Sequence, residues 1–157
     1  MFKPLRRIGT NLLKKAVIAN SQAITIGDIV QPAATGHNQF VTPAATSGLI
    51  LGVVVGIEKL GAINAVNTIT VGSGNETTNL YTAVYIPSYL PMEYEGDLSA
   101  VPTGDNLYNC FLTSATAATL DASSNSNLFG GTAAQFWSYG VTSYSTSKAN
   151  VHIYKSL

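Results

Sequence analysis

GLILGVVVGI, residues 48–57, admits two readings with opposite consequences for the whole chain. Gly48, Gly52 and Gly56 recur at the four-residue spacing that packs transmembrane helices against one another. Length argues against that reading: counting back to Ala44 gives 14 residues before Glu58 and Lys59, whereas a spanning helix needs about 20. With the period of a strand the same residues separate into two faces. Leu49, Leu51, Val53, Val55 and Ile57 line one, and Gly48, Ile50, Gly52, Val54 and Gly56 the other. The first face is an aliphatic core surface. The second is thinned by glycine, as expected where another backbone or a second layer approaches closely or the strand bends. The stretch therefore predicts a buried central strand.

Strand patterns continue on both sides. AITIGDIV (23–30) alternates with a break at Gly27 that suits a bulge or bend, and NQFVT (38–42) is a short strand between the loops QPAATG and TPAATSG. NTITVG (67–72), the polar turn GSGNETTN and LYTAVYI (80–86) read together as a hairpin. Pro87 and Pro91 bracket SYL, which places IPSYLPMEYEGD at a sheet edge or in a structured loop. Further strands are expected in NLYNCFL (106–112), AQFWSYGV (134–141) and NVHIYKS (150–156). Seven or eight short strands with turn signals between them indicate an all-β, single-domain β-sandwich or barrel.

Composition agrees. The 157 residues are only 10% charged, against a usual ~25%, which excludes a long solvated helix or coiled coil. Polarity comes instead from 17 Thr, 14 Ser, 12 Asn and 4 Gln, a composition suited to strands and tight turns. A chain of this length buries roughly 70% of its unfolded surface and needs no staple. The single cysteine excludes an internal disulfide framework and any multi-cysteine zinc site.

Charge is unevenly placed. Residues 1–15 hold Lys3, Arg6, Arg7, Lys14 and Lys15 and no acid, whereas the rest carries three lysines against eight acids. We therefore divide the chain into a basic N-terminal arm, residues 1–22, and a β body, residues 23–157. Leu5, Ile8, Leu12 and Leu13 recur as one apolar face would, so the arm is either a short amphipathic helix or an extended segment. No secretory signal is read, because Ala16 to Ala19 is too short an apolar region and is followed by Asn20, Ser21 and Gln22. No second basic patch supports nucleic-acid or membrane binding. An acidic protein surface is the expected partner of the arm, and a neighbouring copy of the body is one such surface.

Catalytic material is sparse. His37 and His152 belong to no HExxH or Cys/His pattern, no GxSxG occurs, and Cys110 reads as a buried small hydrophobe. No enzyme, cofactor or metal is expected. Glu93, Glu95 and Asp97 gather the only carboxylate cluster, and alternate spacing puts all three on one side of a strand. Such a cluster can do acid–base work or hold Ca²⁺. A solvated edge that discourages sheet stacking is the favoured reading, and an acceptor patch for a neighbour's basic arm is a third. The glycines of GSGN (72–75) are accounted for by the hairpin, and Asn75-Glu76-Thr77 matches a glycosylation triplet. The eight tyrosines, with Trp137 and Phe136, suit either interfaces or core edges.

ITIGDIVQPA (24–33), FVTPAATSGLILGVVVGI (40–57) and YIPSYLPMEYEGDLSA (85–100) resemble segments of the small all-β head decoration, or cement, proteins of tailed bacteriophages. The resemblance does not extend to residues 101–157. It implies a virion protein made in the host cytoplasm and bound to the capsid surface. Its partners would be the major capsid protein and its own copies, frequently as a trimer, with an extended N-terminal segment as the clamp. It brings no catalytic residues. On this expectation Lys3, Leu5, Arg6, Arg7, Ile8, Leu12, Leu13, Lys14 and Lys15 bind the capsid, and deleting residues 1–19 abolishes attachment while the body stays folded. Two other readings share the composition: a tail-tube or head-fibre subunit, and a carbohydrate-binding β-sandwich with Trp137, Tyr139 and Tyr144 as its platform.

Overall fold

The computed structural model describes residues 1–5, 12–34, 40–44, 50–59, 62–64, 66–100, 108–112, 119–121, 136–142 and 145–153, with side chains up to Asp97 and from Lys148 onward. In chain order the strands are β1 (Phe2–Pro4), β2 (Lys14–Ile18), β3 (Ala23–Thr25), β4 (Ile29–Pro32), β5 (Phe40–Pro43), β6 (Gly52–Lys59) and β7 (Ala62–Asn64). They are followed by β8 (Thr68–Thr70), β9 (Tyr81–Pro87), β10 (Glu93–Ala100), β11 (Tyr108–Leu112), β12 (Thr119–Asp121), β13 (Phe136–Thr142) and β14 (Ser145–Ile153). The fold is all-β.

Two sheets of six strands form the molecule, with β3 and β8 as a separate antiparallel ladder. In the first sheet the order is β4-β5-β2-β9-β6, and β4 also pairs with β6, so five strands run in a closed circuit; β7 continues along β6. In the second, β10-β12-β11-β13-β14 closes in the same way through β10–β14, and β1 pairs with β10. Ala16, Ile18, Val30, Val41, Val54, Ala83 and Tyr85 come from every strand of the first circuit and pack into one cluster with Ile24 and Val71. A second cluster joins the sheets: Ile29, Val53 and Ile86 from the first meet Phe2, Tyr94, Ala149 and Val151 from the second. Ile18, Ile24, Ile29, Ile50, Ile57 and Ile86 are among the largest side chains fully withdrawn from water, each a gain of about 1.5–3 kcal/mol.

β6 confirms the strand reading of the glycine-punctuated stretch, displaced toward the C-terminus so that it includes Glu58 and Lys59. Gly52 is the close approach that its missing side chain foretold. A Cβ there would collide with the Ile86 carbonyl oxygen and with Tyr85 Cδ2 of β9. Simple alternation does not survive the whole strand. Val54 pairs with Tyr85 but Gly56 with Val84, so Val55 is an inserted residue. That bulge moves Ile57 opposite Ala83, out of phase with Val53.

Residues 2–4 and 14–18 are strands β1 and β2, extended as one of the two expectations has it and not helical, but paired within the sheets of the body and not an arm outside it; the boundary at residue 22 falls between β2 and β3. β2 lies between β5 and β9, and its Ala16 and Ile18 are interior. Phe2 is buried between the sheets, edge-on to Tyr94 at 6.4 Å. Deleting residues 1–19 would therefore remove an interior strand and a core aromatic, so the body is expected to lose its fold.

The expected hairpin between 67–72 and 80–86 is also replaced. β8 pairs with β3, and β9 with β2 and β6. A π-helical turn, Asn75–Asn79, separates them, ending at Leu80 in the left-handed region (φ 48°). The Asn75 side chain drives the change: its Nδ2 donates to the carbonyls of Ile18 and Tyr81, and its Oδ1 accepts from the Tyr81 N–H. Asn75 is fully buried, so the acceptor amide of the glycosylation triplet is closed to solvent although Thr77 is exposed.

Candidate functional site

The N-terminal stretch is held at both ends. On its first side the Phe2 N–H donates to the Gly27 carbonyl and the Leu5 N–H to the Glu93 carbonyl. Gly27 allows the first contact because it takes φ +91° in the tight Thr25–Asp28 turn, where a Cβ would meet Met1 and Phe2. On its second side β2 is locked into the first sheet. Between these anchors, Leu5 and Leu12 are 43% and 45% exposed, and Leu13 packs against the inter-sheet core. Arg6, Arg7 and Ile8 lie outside the described residues. Lys3, Lys14 and Lys15 are exposed, and Lys15 Nζ lies 2.8 Å from Glu58 Oε2.

Glu93, Glu95 and Asp97 lie on β10 as the alternation predicts, but β10 is not an edge. β14 flanks it on one side and β1, then β12, on the other. The patch meets groups of its own chain. Lys148 Nζ reaches Glu95 at 3.3 Å and Asp97 at 3.1 Å, the Met1 amine reaches Asp97 at 2.7 Å, and Lys3 stands beside Glu95 in register. Burial pushes the Asp97 carboxyl up, but hydrogen bonds and charge from the Met1 amine and Lys148 outweigh it and hold it below the usual value. The hydrogen bond to Asp97, with Glu95 nearby, raises Lys148 against a smaller opposing effect of burial. These contacts tie β1, β10 and β14 together, which is a structural use of the acids.

Asp28 is buried in the Gly27 turn, with Oδ2 accepting the Thr25 N–H at 2.7 Å. Burial raises its carboxyl above the usual range, and the backbone bond and the Met1 amine only partly offset this. His152 sits on β14 opposite Glu93. His37 and Tyr144 lie outside the described residues, as do the side chains of Cys110, Trp137 and Tyr139. Among the described residues no group of three His, Cys, Asp or Glu side chains is placed to hold a metal, and no helix is long and apolar enough to cross a membrane.

One surface feature has no local signature in the sequence. Beside β7 a groove of about 280 Å³ is lined by Leu13, Val55, Gly56, Glu58, Ile63 and Val84, and Ile63 at its lip is 82% exposed. The strand Ala62–Asn64 is too short to show a period in the sequence. Tyr89, 62% exposed beside Lys14 and Tyr85, lines a second shallow pocket. Together with Leu5 and Leu12, these residues place large apolar side chains at the surface. Compared with protein-family models, with curated proteins and with solved structures, the chain matches none.

Proposed function

We propose that this chain is a virion structural protein that decorates the outer surface of a phage capsid and stabilises it, with the stretch from Leu5 to Leu12 as its contact. The observation that carries the reading is the pair Leu5 and Leu12, exposed although one directly follows β1 and the other lies two residues before β2, with Arg6 and Arg7 between them. Anchoring both ends lowers the conformational entropy lost on docking. The two leucines supply apolar area and the arginines orientation by pairing with carboxylates. Each leucine has about half its surface left to bury, so the pair contributes on the order of 2 kcal/mol, roughly thirtyfold in affinity.

The test is co-sedimentation with head shells assembled from the major capsid protein of the phage that, on this proposal, carries the chain. Wild-type chain is expected to pellet with the shells at a saturable ratio. Leu5→Asp combined with Leu12→Asp should weaken attachment at least thirtyfold with an unchanged thermal midpoint. Undiminished attachment of the double variant, or no attachment of the wild type, would overturn the proposal.

A further inference from the structure

We propose that β7 is a self-pairing edge, through which two copies of this chain associate about a two-fold axis. The inference does not depend on capsid binding. β7 pairs with β6 through Ile57↔Asn64, Glu58↔Ile63 and Lys59↔Ala62, and among the described residues its other edge meets no strand. Its sequence, Ala62-Ile63-Asn64, carries neither charge nor proline, the usual devices that keep an edge from pairing. Ile63 is the most exposed of the large apolar side chains described.

The groove beside it completes the argument. Gly56 leaves part of its floor without a side chain, while Leu13, Val55 and Val84 supply apolar walls. Its charges, Lys15 and Glu58, neutralise each other at 2.8 Å, so nothing there recruits a charged partner. A neutral apolar neighbour fits, and a second copy of Ile63, set beside the first at the groove's lip, supplies one. Each copy then covers the exposed Ile63 of the other, as a self-complementary two-fold contact requires. Antiparallel pairing of β7 with its copy, centred on Ile63, would continue the first sheet across both molecules. The two Ile63 side chains would then be neighbours on the groove face, with Cβ atoms about 5 Å apart.

Sedimentation velocity of the full chain over a concentration series tests this. A concentration-dependent dimer is expected for the wild type, weakened at least tenfold by Ile63→Lys with no change in thermal midpoint. Ile63→Cys under mild oxidation should give a covalent dimer well above the wild-type background from Cys110, which keeps the test open should the lysine variant fold poorly. A wild-type monomer at every concentration, an oligomer of any order that Ile63→Lys leaves intact, or no excess cross-linking of Ile63→Cys would each refute the proposal.

Discussion

Removing the Asn75 side chain should be among the costly single changes to this fold. Its side chain is 0% exposed. Nδ2 donates to the Ile18 carbonyl at 2.6 Å and the Tyr81 carbonyl at 3.1 Å, and Oδ1 accepts the Tyr81 N–H at 2.9 Å. Asn75→Ala deletes all three bonds, each worth about 1 kcal/mol net, and leaves the Tyr81 N–H without this acceptor, adding roughly 1–2 kcal/mol. The expected loss is about 3–5 kcal/mol, a large part of the ~5–15 kcal/mol that holds a domain together. Asn75→Asp has nearly the same shape. It keeps an acceptor for Tyr81 but turns a carboxylate oxygen toward two carbonyls, so it should cost at least as much at neutral pH. Urea unfolding followed by far-ultraviolet circular dichroism measures both. With an m-value near 2 kcal/mol/M, the midpoint should fall by about 2 M. A shift of Asn75→Ala below about 0.3 M, or an Asn75→Asp variant indistinguishable from wild type, would refute the view that this side chain joins β2, the π turn and β9.

Gly52→Ala should lose about 2–3 kcal/mol, because its Cβ meets the Ile86 carbonyl and the Tyr85 ring on a strand paired on both sides, whereas Gly56→Ala, with Val84 Cβ at 3.6 Å, should cost under about 1 kcal/mol. Equal losses in chemical denaturation would contradict that contrast. Asp28 is an acid whose folded value lies above its unfolded one, so its contribution to stability falls as pH rises from about 4 through the folded value. Asp28→Asn, whose amide oxygen can still accept the Thr25 N–H, should be at least as stable as wild type at pH 7. Thermal melts showing it more than about 1 kcal/mol weaker would contradict the assignment. Asp97 is shifted the other way, so its contribution is present above about pH 4 and is lost as pH falls through the lower folded value. That of Lys148 is complete below about pH 10 and is lost as pH rises through its raised folded value. Lys148→Met should cost about 1–3 kcal/mol between those limits, chiefly by leaving Glu95 buried without its ammonium partner, and melting across pH 3–11 should show the difference shrink at acid pH. An equal difference at pH 3 and pH 7 would contradict it.

The legible part of the fold follows from local chemistry. Alternation and β-branching placed β6, β9, β13 and β14 near their observed positions, and the glycine at 52 announced the backbone of β9. What could not be read depends on long-range partners. A basic composition suggested an arm at residues 14–18, yet Ala16 and Ile18 are interior and only Lys14 and Lys15 face water. Period 2 shows which faces a strand has but not which strand lies beside it, so the sequence suggests a β8–β9 hairpin where β8 pairs with β3. One buried amide, Asn75, overrides the turn chemistry around it, and nothing in GSGNETTN separates it from an exposed asparagine. At the candidate site, the acidic cluster was placed on one strand face, but its partner Lys148, 51 residues from Asp97, carried no local signal. Ile63 went unread because a three-residue strand is too short to show a period.

Electron cryo-microscopy of head shells incubated with the purified chain tests the central claim most directly. The account predicts ordered density at regular lattice positions on the outer surface, fitted by the two-sheet body with Leu5 and Leu12 turned toward the shell. Bare shells at saturating chain concentration, or a body attached by a face on which both leucines remain in solvent, would contradict it.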